Sequence, residues 1–534
     1  MRKALAAALL SLIPSLAAAG DGPLPPDPVL EGQGAVVGEV VVHVGDVFDP
    51  SDPQEDRRVF RVVNRLHRNT REGVIRNQLL FRSGDRYSRH SLEESERLLR
   101  KDRYLYDVKI RPLRYDGNRV DVEVVTRDVW TLNVGAGLGR SGGESSVHFE
   151  LQDTNLLGTG KSLTLRQSSD VDRTESLIRF DDPAVLGSRV QLSVGLSDNS
   201  DGRRQEIYFG QPFYSMESRW SAQMSALSDD RTDTLYRLGH VSGGFQHQEE
   251  RFEVRGGLSN GLVDGRVQRW TGGLAWQRDR YSLLDGFAAP AGLPEERVLA
   301  YPWIAWDLVE DRYAETSNLD QIRRTEDLQL GGQLHLRLGW SSSLLGSTGD
   351  AAVFDAAAST GWKPSEDQTL LLSSGLTGRW GRDGAEDLLL DGTARYYWRD
   401  FGEHLFFATL EGSLARNLDP GKQLLLGGDS GLRGYPLRYQ DGDARALLTL
   451  EQRFFTGFYP FHLFHVGGAV FFDAGRTWGG ANGLGLLKDV GFGLRLSSSR
   501  SGLGSMVHLD LAFPLDGDPS IQSMQWLVST KTSF

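Results

Sequence analysis

Residues 328–340, LQLGGQLHLRLGW, alternate apolar and polar side chains almost without interruption. The even positions are leucine or tryptophan except at Gly332, and the odd positions are polar or glycine. Because successive side chains of a strand point to opposite faces, this pattern predicts a β-strand with one apolar face. Its length of thirteen residues exceeds the ~9–11 residues that a tilted strand needs to cross a membrane.

Similar alternation recurs from residue 130 to the end of the chain, in residues 190–196, 220–226, 252–258, 507–513 and 524–534. A long β-solenoid or sandwich is the soluble alternative, but no fixed repeat period is present and many inward positions are charged. Residues 131–534 number 534 − 130 = 404, which at roughly 25 residues per strand and turn gives about sixteen strands. The sequence therefore predicts a mainly β fold, a transmembrane antiparallel β-barrel of about sixteen strands.

The first residues predict export. Arg2 and Lys3 precede the short apolar stretch 4–16, and Ala17-Ala18-Ala19 is a small-residue cleavage site, so residues 1–19 are interpreted as a signal peptide. Cysteine is absent and the net charge is −12, which argues against disulfides and against nucleic acid as a partner. Together with the barrel pattern, these features predict a bacterial outer membrane.

The mature chain divides into three parts. Residues 20–37 are rich in proline and glycine and are predicted to be a flexible leader without a helix. Residues 38–129 contain signals for a strand, two helices and two further strands, which predict a small α+β domain. Residues 130–534 are the predicted barrel, with its first strand near residues 130–138 and its last near residues 524–534.

A glycine-rich segment inside the barrel region carries the motif Leu432-Arg433-Gly434-Tyr435. Flanking glycines allow a tight loop that pushes the arginine into a polar cavity. Strand alternation puts Glu451 and Asp473 on the luminal face, where carboxylates can make charge-assisted bonds to a guanidinium. We therefore expect Arg433 to pair with Asp473, Glu451 or both. The alternative is three unrelated luminal charges, each solvated by water.

Four motifs in sequence order resemble those of the BamA/TamA outer-membrane insertase and translocase superfamily, also called the Omp-eighty-five or bacterial surface antigen family. They are the Arg433 loop motif and the stretches Asn155-Leu156-Leu157-Gly158-Thr159-Gly160, Thr449-Leu450-Glu451-Gln452-Arg453 and Phe471-Phe472-Asp473-Ala474-Gly475. Residues 38–129 resemble a single periplasmic POTRA domain. This resemblance implies a lumen in which the Arg433 loop is held, and a lateral seam between the first and last strands.

Two apparent enzyme motifs have simpler interpretations. Gly139-Arg140-Ser141-Gly142-Gly143 has the spacing of a nucleophile elbow, but both of its flanks resemble strands, so a hairpin turn is predicted. Gly428-Asp429-Ser430-Gly431 resembles a serine-protease loop but has no supporting scaffold. The histidines have no paired ligand spacing. We therefore predict that the protein is not an enzyme and has no metal or other cofactor.

The resemblance implies insertion, assembly or translocation of other polypeptides, with β-augmentation on the POTRA-like domain and opening of the barrel seam. The predicted seam residues are Gly135 and Gly137 in the first strand and Trp526 and Phe534 in the last. Expected partners are client outer-membrane or secreted polypeptides, outer-membrane lipid, and periplasmic or lipoprotein accessory factors. The alternatives are a dedicated secretion pore for one partner protein, a passive pore or a structural surface antigen.

Overall fold

A computed structural model describes residues 24–531, apart from residues 52, 54–55, 285, 287–291, 400–401, 403, 461–462, 481–482, 499–505, 517–518 and 520. The predicted signal peptide and Phe534 lie outside the described residues. The N-terminal part contains four helices and three strands: α1 Asp27–Gly32, β1 Val36–Gly45, α2 Arg58–Leu66, α3 Glu72–Gln78, α4 Arg89–Arg100, β2 Leu105–Tyr115 and β3 Arg119–Asp128.

The N-terminal part, residues 24–129, folds around a three-stranded sheet with strand order β1-β3-β2. The β1–β3 pair is parallel and the β2–β3 pair is antiparallel. Leu92 and Leu99 of α4 pack with Val108, Val120 and Val122 of the sheet in one buried apolar core. We call this unit the N-terminal domain. Burial of these side chains is what holds the helices on the sheet.

The prediction of a leader without a helix was wrong. Residues 27–32 form α1, which begins next to Pro26 and buries Leu30 in the core of the N-terminal domain. Proline is favourable at a helix start because its missing N–H is not needed there. The Pro-Gly composition of residues 20–37 therefore concealed a short helix whose stability comes from tertiary packing.

The remaining strands follow in chain order: β4 Leu132–Ser141, β5 Glu144–Asp153, β6 Ser162–Ser169, β7 Thr174–Asp182, β8 Gln191–Asn199, β9 Gly202–Gln211, β10 Trp220–Arg237, β11 His240–Val263, β12 Arg266–Leu283, β13 Arg297–Glu310, β14 Tyr313–Ser317 and β15 Thr325–Gln329. Their continuation is β16 Gln333–Ser341, β17 Ala351–Ser365, β18 Gln368–Gly381, β19 Gly384–Trp398, β20 His404–Arg416, β21 Leu424–Leu426, β22 Gln440–Gly442, β23 Ala444–Phe455, β24 Phe464–Trp478, β25 Leu487–Ser498, β26 Met506–Pro514 and β27 Gln525–Lys531.

All of these strands except β14, β15, β21 and β22 pair into one closed antiparallel barrel. Counted over the described residues, the barrel therefore has 24 − 4 = 20 strands, and the prediction of about sixteen was too low. The reason is the shortness of many turns. Two residues, Gly142 and Gly143, join β4 to β5, and two-residue connections also follow β8, β10, β11, β17 and β18. The first of these turns confirms the hairpin predicted for residues 139–143.

The barrel wall has an apolar outer face and a polar inner face. Exposed outward side chains include Val134, Leu138, Phe149, Leu258, Leu274, Leu338, Leu410 and Phe492. Buried inward side chains include Asp279, Glu451, Arg453, Asp473 and Arg495. This arrangement is typical of a barrel that crosses a lipid bilayer. In the described chain no helix is long and apolar enough to span a membrane.

The strand predicted for residues 328–340 is interrupted. Residues 333–341 form barrel strand β16, whereas residues 325–329 pair with 313–317 in a separate two-stranded sheet. The break falls at Gly331 and Gly332, where a Cβ on Gly331 would lie 2.3 Å from the carbonyl oxygen of Glu310. Glycine permits this close approach at the point where the chain departs from the barrel sheet. We call residues 313–329 the hairpin arm.

The two ends of the barrel differ. The N-terminal domain contacts one end, the near end, through the β5–β6, β7–β8 and β9–β10 connections and the hairpin arm. Residues 417–443, which connect β20 to β23 and include β21 and β22, belong to the opposite, far end. We call them the far-end loop. This loop carries the Arg433 motif.

Candidate functional site

The far-end loop lies across the barrel and is anchored at separate points. The Asp419 carboxylate accepts hydrogen bonds from Arg297 of β13 and Arg379 of β18, both at 2.7 Å. On another part of the loop, Arg438 donates to Asp172 in the β6–β7 turn at 2.7 Å. Leu426, Leu432, Tyr435 and Tyr439 of the loop form an apolar cluster with barrel residues. The loop is thus a folded part of the barrel interior rather than a solvated surface segment.

Arg433 lies between the two carboxylates that the sequence suggested. Its Nε donates to Asp473 Oδ2 at 2.7 Å and its Nη2 donates to Asp473 Oδ1 at 3.0 Å. Its third nitrogen, Nη1, donates to Glu451 Oε2 at 3.1 Å. The guanidinium carbon also lies 3.3 Å from the centroid of the Phe471 ring. A planar fork with two bonds to one carboxylate and one to another fixes the side chain in both position and rotation.

Further charges enclose this pair. Arg453 Nε donates to Glu451 at 2.9 Å, and Arg495 lies 3.7 Å from the same carboxylate. Arg495 also donates to Asp510, which is 3.9 Å from Arg433. Three arginines therefore alternate with the carboxylates of Glu451, Asp473 and Asp510. Because buried charges are tolerated only when paired, the near balance of charges explains how the network persists inside the barrel.

Glycines allow the loop to approach the wall. Gly431 has a φ of 115°, a left-handed conformation that residues with a Cβ rarely adopt. A Cβ on Gly434 would lie 2.7 Å from the Asp489 Cβ and 3.0 Å from the backbone nitrogen of Pro514. The Gly434 N–H instead donates to Asp489 at 3.0 Å. The loop backbone is therefore bound directly to β25.

The rest of the loop motif is buried. Leu432 and Tyr435 are inaccessible to solvent, and the Tyr435 hydroxyl donates to the Lys488 carbonyl oxygen at 2.8 Å. In the strand motif of β24, Phe471 supplies the ring beneath Arg433. Gly475 leaves room for the loop, since a Cβ there would lie 2.7 Å from Leu426. The strand motif and the loop motif therefore meet in one site.

The glycine motif that contains Asn155, Gly158 and Gly160 lies elsewhere, in the β5–β6 connection at the near end. Asn155 Nδ2 donates to Thr70 Oγ1 of the N-terminal domain at 2.8 Å, and its Oδ1 accepts from the Gly160 N–H at 2.6 Å. A Cβ on Gly158 would lie 2.3 Å from the Asn69 carbonyl oxygen. This motif therefore forms the junction between the barrel and the N-terminal domain.

The junction continues as a buried polar network. Thr70 donates to Asp128 through its backbone N–H at 2.7 Å and its hydroxyl at 2.9 Å. His67 Nε2 lies 3.0 Å from the same carboxylate. Asp128 is the last residue of β3, immediately before the barrel. The hydrogen bonds therefore fix the angle at which the chain enters the first barrel strand.

A second contact to the near end is made by α4. His90 Nδ1 lies 3.1 Å from Asp311, and its Nε2 forms an ion pair with Glu94 at 3.4 Å. The hydrogen bond to Asp311, followed by that to Glu94, raises the pKa of His90 to about 10. His90 is therefore charged at neutral pH, and the contact between α4 and the barrel is an ionic one.

The predicted seam lies between β27 and β4. Gly135 and Gly137 are on the luminal side of β4, and a Cβ on Gly137 would lie 2.0 Å from the His148 ring. Trp526 is on the outside, where the Arg140 guanidinium carbon lies 4.8 Å from its ring centroid. Among the described residues, the register between β27 and β4 consists of the pair Val528–Arg140. By contrast, β4 and β5 are in register from Leu132–Asp153 to Ser141–Glu144.

Sequence reasoning missed Asp489, Arg495 and Asp510. All three are buried and directed into the lumen. The available signal was the alternation of β25 and β26, whose apolar neighbours Val490, Leu494 and Leu509 face outward. The same rule that identified Glu451 and Asp473 applies to these strands. In the described ranges, no group of three or more histidine, aspartate or glutamate side chains is arranged to hold a metal ion.

No family model matches the sequence, and no curated protein is significantly similar to it. Among solved structures, the chain is similar to BamA from Haemophilus ducreyi lacking POTRA domains 1–3, with 14% identity, a TM-score of 0.36, and coverage of 93% of this chain and 85% of that chain. CdiB from Acinetobacter baumannii is similar at 13% identity and a TM-score of 0.47, over 93% and 73% of the two chains. CdiB from Escherichia coli is similar at 12% identity and a TM-score of 0.44, over 94% and 77%.

Proposed function

We propose that this protein inserts, assembles or translocates other polypeptides at the bacterial outer membrane, with the N-terminal domain in the periplasm. The observation that carries the proposal is that, among the described residues, the register between β27 and β4 is the single pair Val528–Arg140, whereas the neighbouring pairs β26–β27 and β4–β5 have seven and ten registered residue pairs. Over the described part of the seam, a shorter ladder opens at lower cost than those of the two neighbouring strand pairs, because each main-chain hydrogen bond adds to the barrier. An opened seam offers strand edges to a client.

The luminal charge network supports the same proposal. Arg433 connects the far-end loop to β23 and β24, while Gly434 connects it to β25. These strands and the adjoining β26 lie beside β27 on one side of the seam. The loop therefore stabilises the wall next to the seam. In this proposal it keeps that wall intact while the seam itself opens.

The N-terminal domain offers an edge for client capture. Its sheet has two edge strands, β1 and β2. The edge of β2 is blocked in part, because Pro112 lacks an N–H and the Ile110 N–H donates to Glu96 at 2.7 Å. The start of the β1 edge is also occupied, because the Val37 N–H donates to the Asp85 carbonyl oxygen at 2.8 Å and Arg76 donates to the Val40 carbonyl oxygen at 2.8 Å. β-Augmentation is therefore expected on the second half of β1, residues 41–45, where main-chain bonds would give affinity with little dependence on client sequence.

A passive pore fits these observations less well. The far-end loop lies across one end of the lumen, and the tip of the hairpin arm is buried against the wall at the other. Both occupy space through which solutes would flow. A dedicated exporter for one protein uses the same features as a general assembly factor, so the clients distinguish these two alternatives.

The test is quantitative proteomics of the outer membrane after depletion of the protein. Cells are rescued with the full-length chain or with a form lacking residues 38–129 whose barrel is shown to be folded by its heat-dependent gel mobility. Loss of several barrel proteins, restored only by the full-length chain, is the expected result for an assembly factor. Loss of one surface or secreted protein indicates a dedicated exporter. Unchanged levels of every protein contradict the proposal.

A further inference from the structure

An apolar patch occupies the luminal wall at the near end of the barrel. It is formed by inward side chains of β19, β20, β23, β24 and β26, and its members are Tyr397, Leu405, Phe407, Phe455, Ala469 and Met506. We call these residues the luminal patch. The inner wall of a membrane barrel is usually polar, so a contiguous apolar surface there indicates a binding function.

The tip of the hairpin arm, residues 318–324, covers the luminal patch. Leu319 and Ile322 project from the tip and are almost completely buried, in the same apolar cluster as the patch. Tyr397 also donates to Asp320 at 3.3 Å. The tip thus occupies the patch as a short apolar peptide would.

Arg453 of β23 and Arg399, which follows β19, bind main-chain oxygens of the arm. They also contact its side chains, with Asp320 3.7 Å from Arg453 and Thr316 Oγ1 2.7 Å from Arg399. Arg453 donates to the Leu319 carbonyl oxygen at 2.5 Å, and Arg399 donates to the Ser317 carbonyl oxygen at 2.6 Å. Every polypeptide offers carbonyl oxygens, so such donors accept different sequences. An apolar surface combined with main-chain donors matches the chemistry of a sequence-tolerant peptide site.

The tip carries its own hydrogen-bond partners. The Glu326 carboxylate accepts from the N–H groups of Leu319 at 2.9 Å and Asp320 at 3.0 Å. Asn318 Oδ1 accepts from the Arg323 N–H at 2.6 Å. These three N–H groups therefore keep their acceptors within the arm when the tip moves as a unit.

The stem of the arm is held by the N-terminal domain. Arg100 of α4 donates two hydrogen bonds to Asp327, at 2.8 and 2.7 Å, and one to Glu315 at 2.8 Å. At the end of the tip, Arg324 also donates to the Leu105 carbonyl oxygen of the N-terminal domain at 3.2 Å. A movement of the N-terminal domain therefore pulls on the arm directly. Arg453 also binds Glu451, so the tip and the Arg433 site share one residue.

We propose that the luminal patch is a binding site for an apolar polypeptide segment, and that the tip of the hairpin arm occupies it until such a segment replaces it. The inference rests on the proposed function, because it names the class of client segment that would enter the lumen during that function. The partner is an extended chain with apolar side chains spaced as Leu319 and Ile322 are, bound through its carbonyl oxygens to Arg453 and Arg399.

The test measures binding of a fluorescent synthetic peptide with the sequence of residues 313–329 to the purified full-length protein in lipid vesicles. The double variant Leu319→Asp/Ile322→Asp removes the internal competitor. The matched control is Leu344→Asp/Leu345→Asp, at two exposed leucines of the β16–β17 connection. If the tip fills the patch at least nine-tenths of the time, the peptide binds the tip variant ~10-fold or more tightly than the unaltered protein.

Two further measurements define the site. A peptide carrying aspartate at both apolar positions is expected not to bind, and Phe407→Asp in the tip variant is expected to abolish binding of the original peptide. Arg100→Ala leaves the tip and the wall unchanged but releases the stem of the arm, so it is expected to raise the affinity for the peptide. This variant replaces the double variant in the test if the double variant does not fold. Equal peptide affinity in the unaltered protein, the tip variant and Arg100→Ala overturns the proposal, as does binding that persists after Phe407→Asp.

This result is independent of the proposed function. Peptide binding is measured with pure protein, whereas the proposed function is judged by client levels in cells. If client levels depend on the protein but the peptide does not bind, the proposed function still holds, and the hairpin arm is a fixed structural element rather than a displaceable one.

Discussion

Arg433→Ala should lower the free energy of unfolding of the barrel more than replacement of a solvent-exposed arginine by alanine does. The substitution removes three hydrogen bonds and the contact with the Phe471 ring. It leaves the fully buried Asp473 without a cationic donor at its carboxylate, although the Thr449 hydroxyl still donates to it at 2.8 Å. Breaking a buried ion pair by removing one member costs about 3–5 kcal/mol. We therefore expect the free energy of unfolding to fall by that amount.

Urea titration in lipid vesicles, followed by tryptophan fluorescence, measures this change. The matched control is Arg203→Ala, because Arg203 pairs with Asp198 where both side chains are about three-quarters exposed, at 77% and 74%. Exposed pairs contribute roughly 0–1 kcal/mol. Arg433→Lys keeps the charge but loses the planar fork, so its stability should fall between the two. If Arg433→Ala and Arg203→Ala unfold at the same urea concentration, the luminal network does not stabilise the barrel.

Three other predictions concern the loop and the junction. Gly434→Ala should lower the free energy of unfolding by about 1–3 kcal/mol, because the new Cβ meets the backbone at Pro514. The control is Gly349→Ala, which has open space around it and should leave the urea concentration at the unfolding midpoint almost unchanged. Asn155→Ala removes both hydrogen bonds of the junction and should cost about 1–3 kcal/mol of docking, seen as faster amide exchange in residues 67–74; unchanged exchange would exclude this role. His90 has its pKa raised to about 10 in the folded protein, against ~6.5 when unfolded. Its contribution to docking is therefore complete below pH ~6.5 and is lost as pH rises through about 10, so protease cleavage near residue 130 should increase over that range. In His90→Gln the increase should be absent, and an equal increase there would assign it to another group.

The local part of the fold followed from the sequence. Strand alternation located Glu451 and Asp473 on the luminal face, and the flanking glycines indicated a loop that could bring Arg433 to them. Strand, helix, helix, strand and strand occur in the predicted order in the N-terminal domain, and the apolar spacing of Val59, Val62, Val63 and Leu66 also indicates the short helix α2, whereas α1 was not predicted. These features depend on periodicity over a few residues, which a single sequence records.

Features that depend on distant pairing did not follow. Residues 328–340 alternate as one strand would, yet Leu328 and Gln329 pair with Ala314 and Tyr313 in a sheet separate from the barrel sheet. Alternation shows which side chains share a face but does not identify the partner strand. The number of strands was underestimated because two-residue turns such as Leu238-Gly239 leave little trace between long strands. Asp489 and Asp510 became part of the site only when β25 and β26 were placed beside β24.

A reversible lock on the seam tests the central proposal most directly. The chain has no cysteine, and Arg140 and Val528 are registered partners, so Arg140→Cys/Val528→Cys places two thiols within the range of a disulfide. The level of client proteins is measured in depleted cells that carry this variant, oxidised or reduced. We predict that the oxidised form fails to restore the clients and that reduction restores them. Full restoration by the oxidised form would contradict the proposal that polypeptides pass through an opening seam.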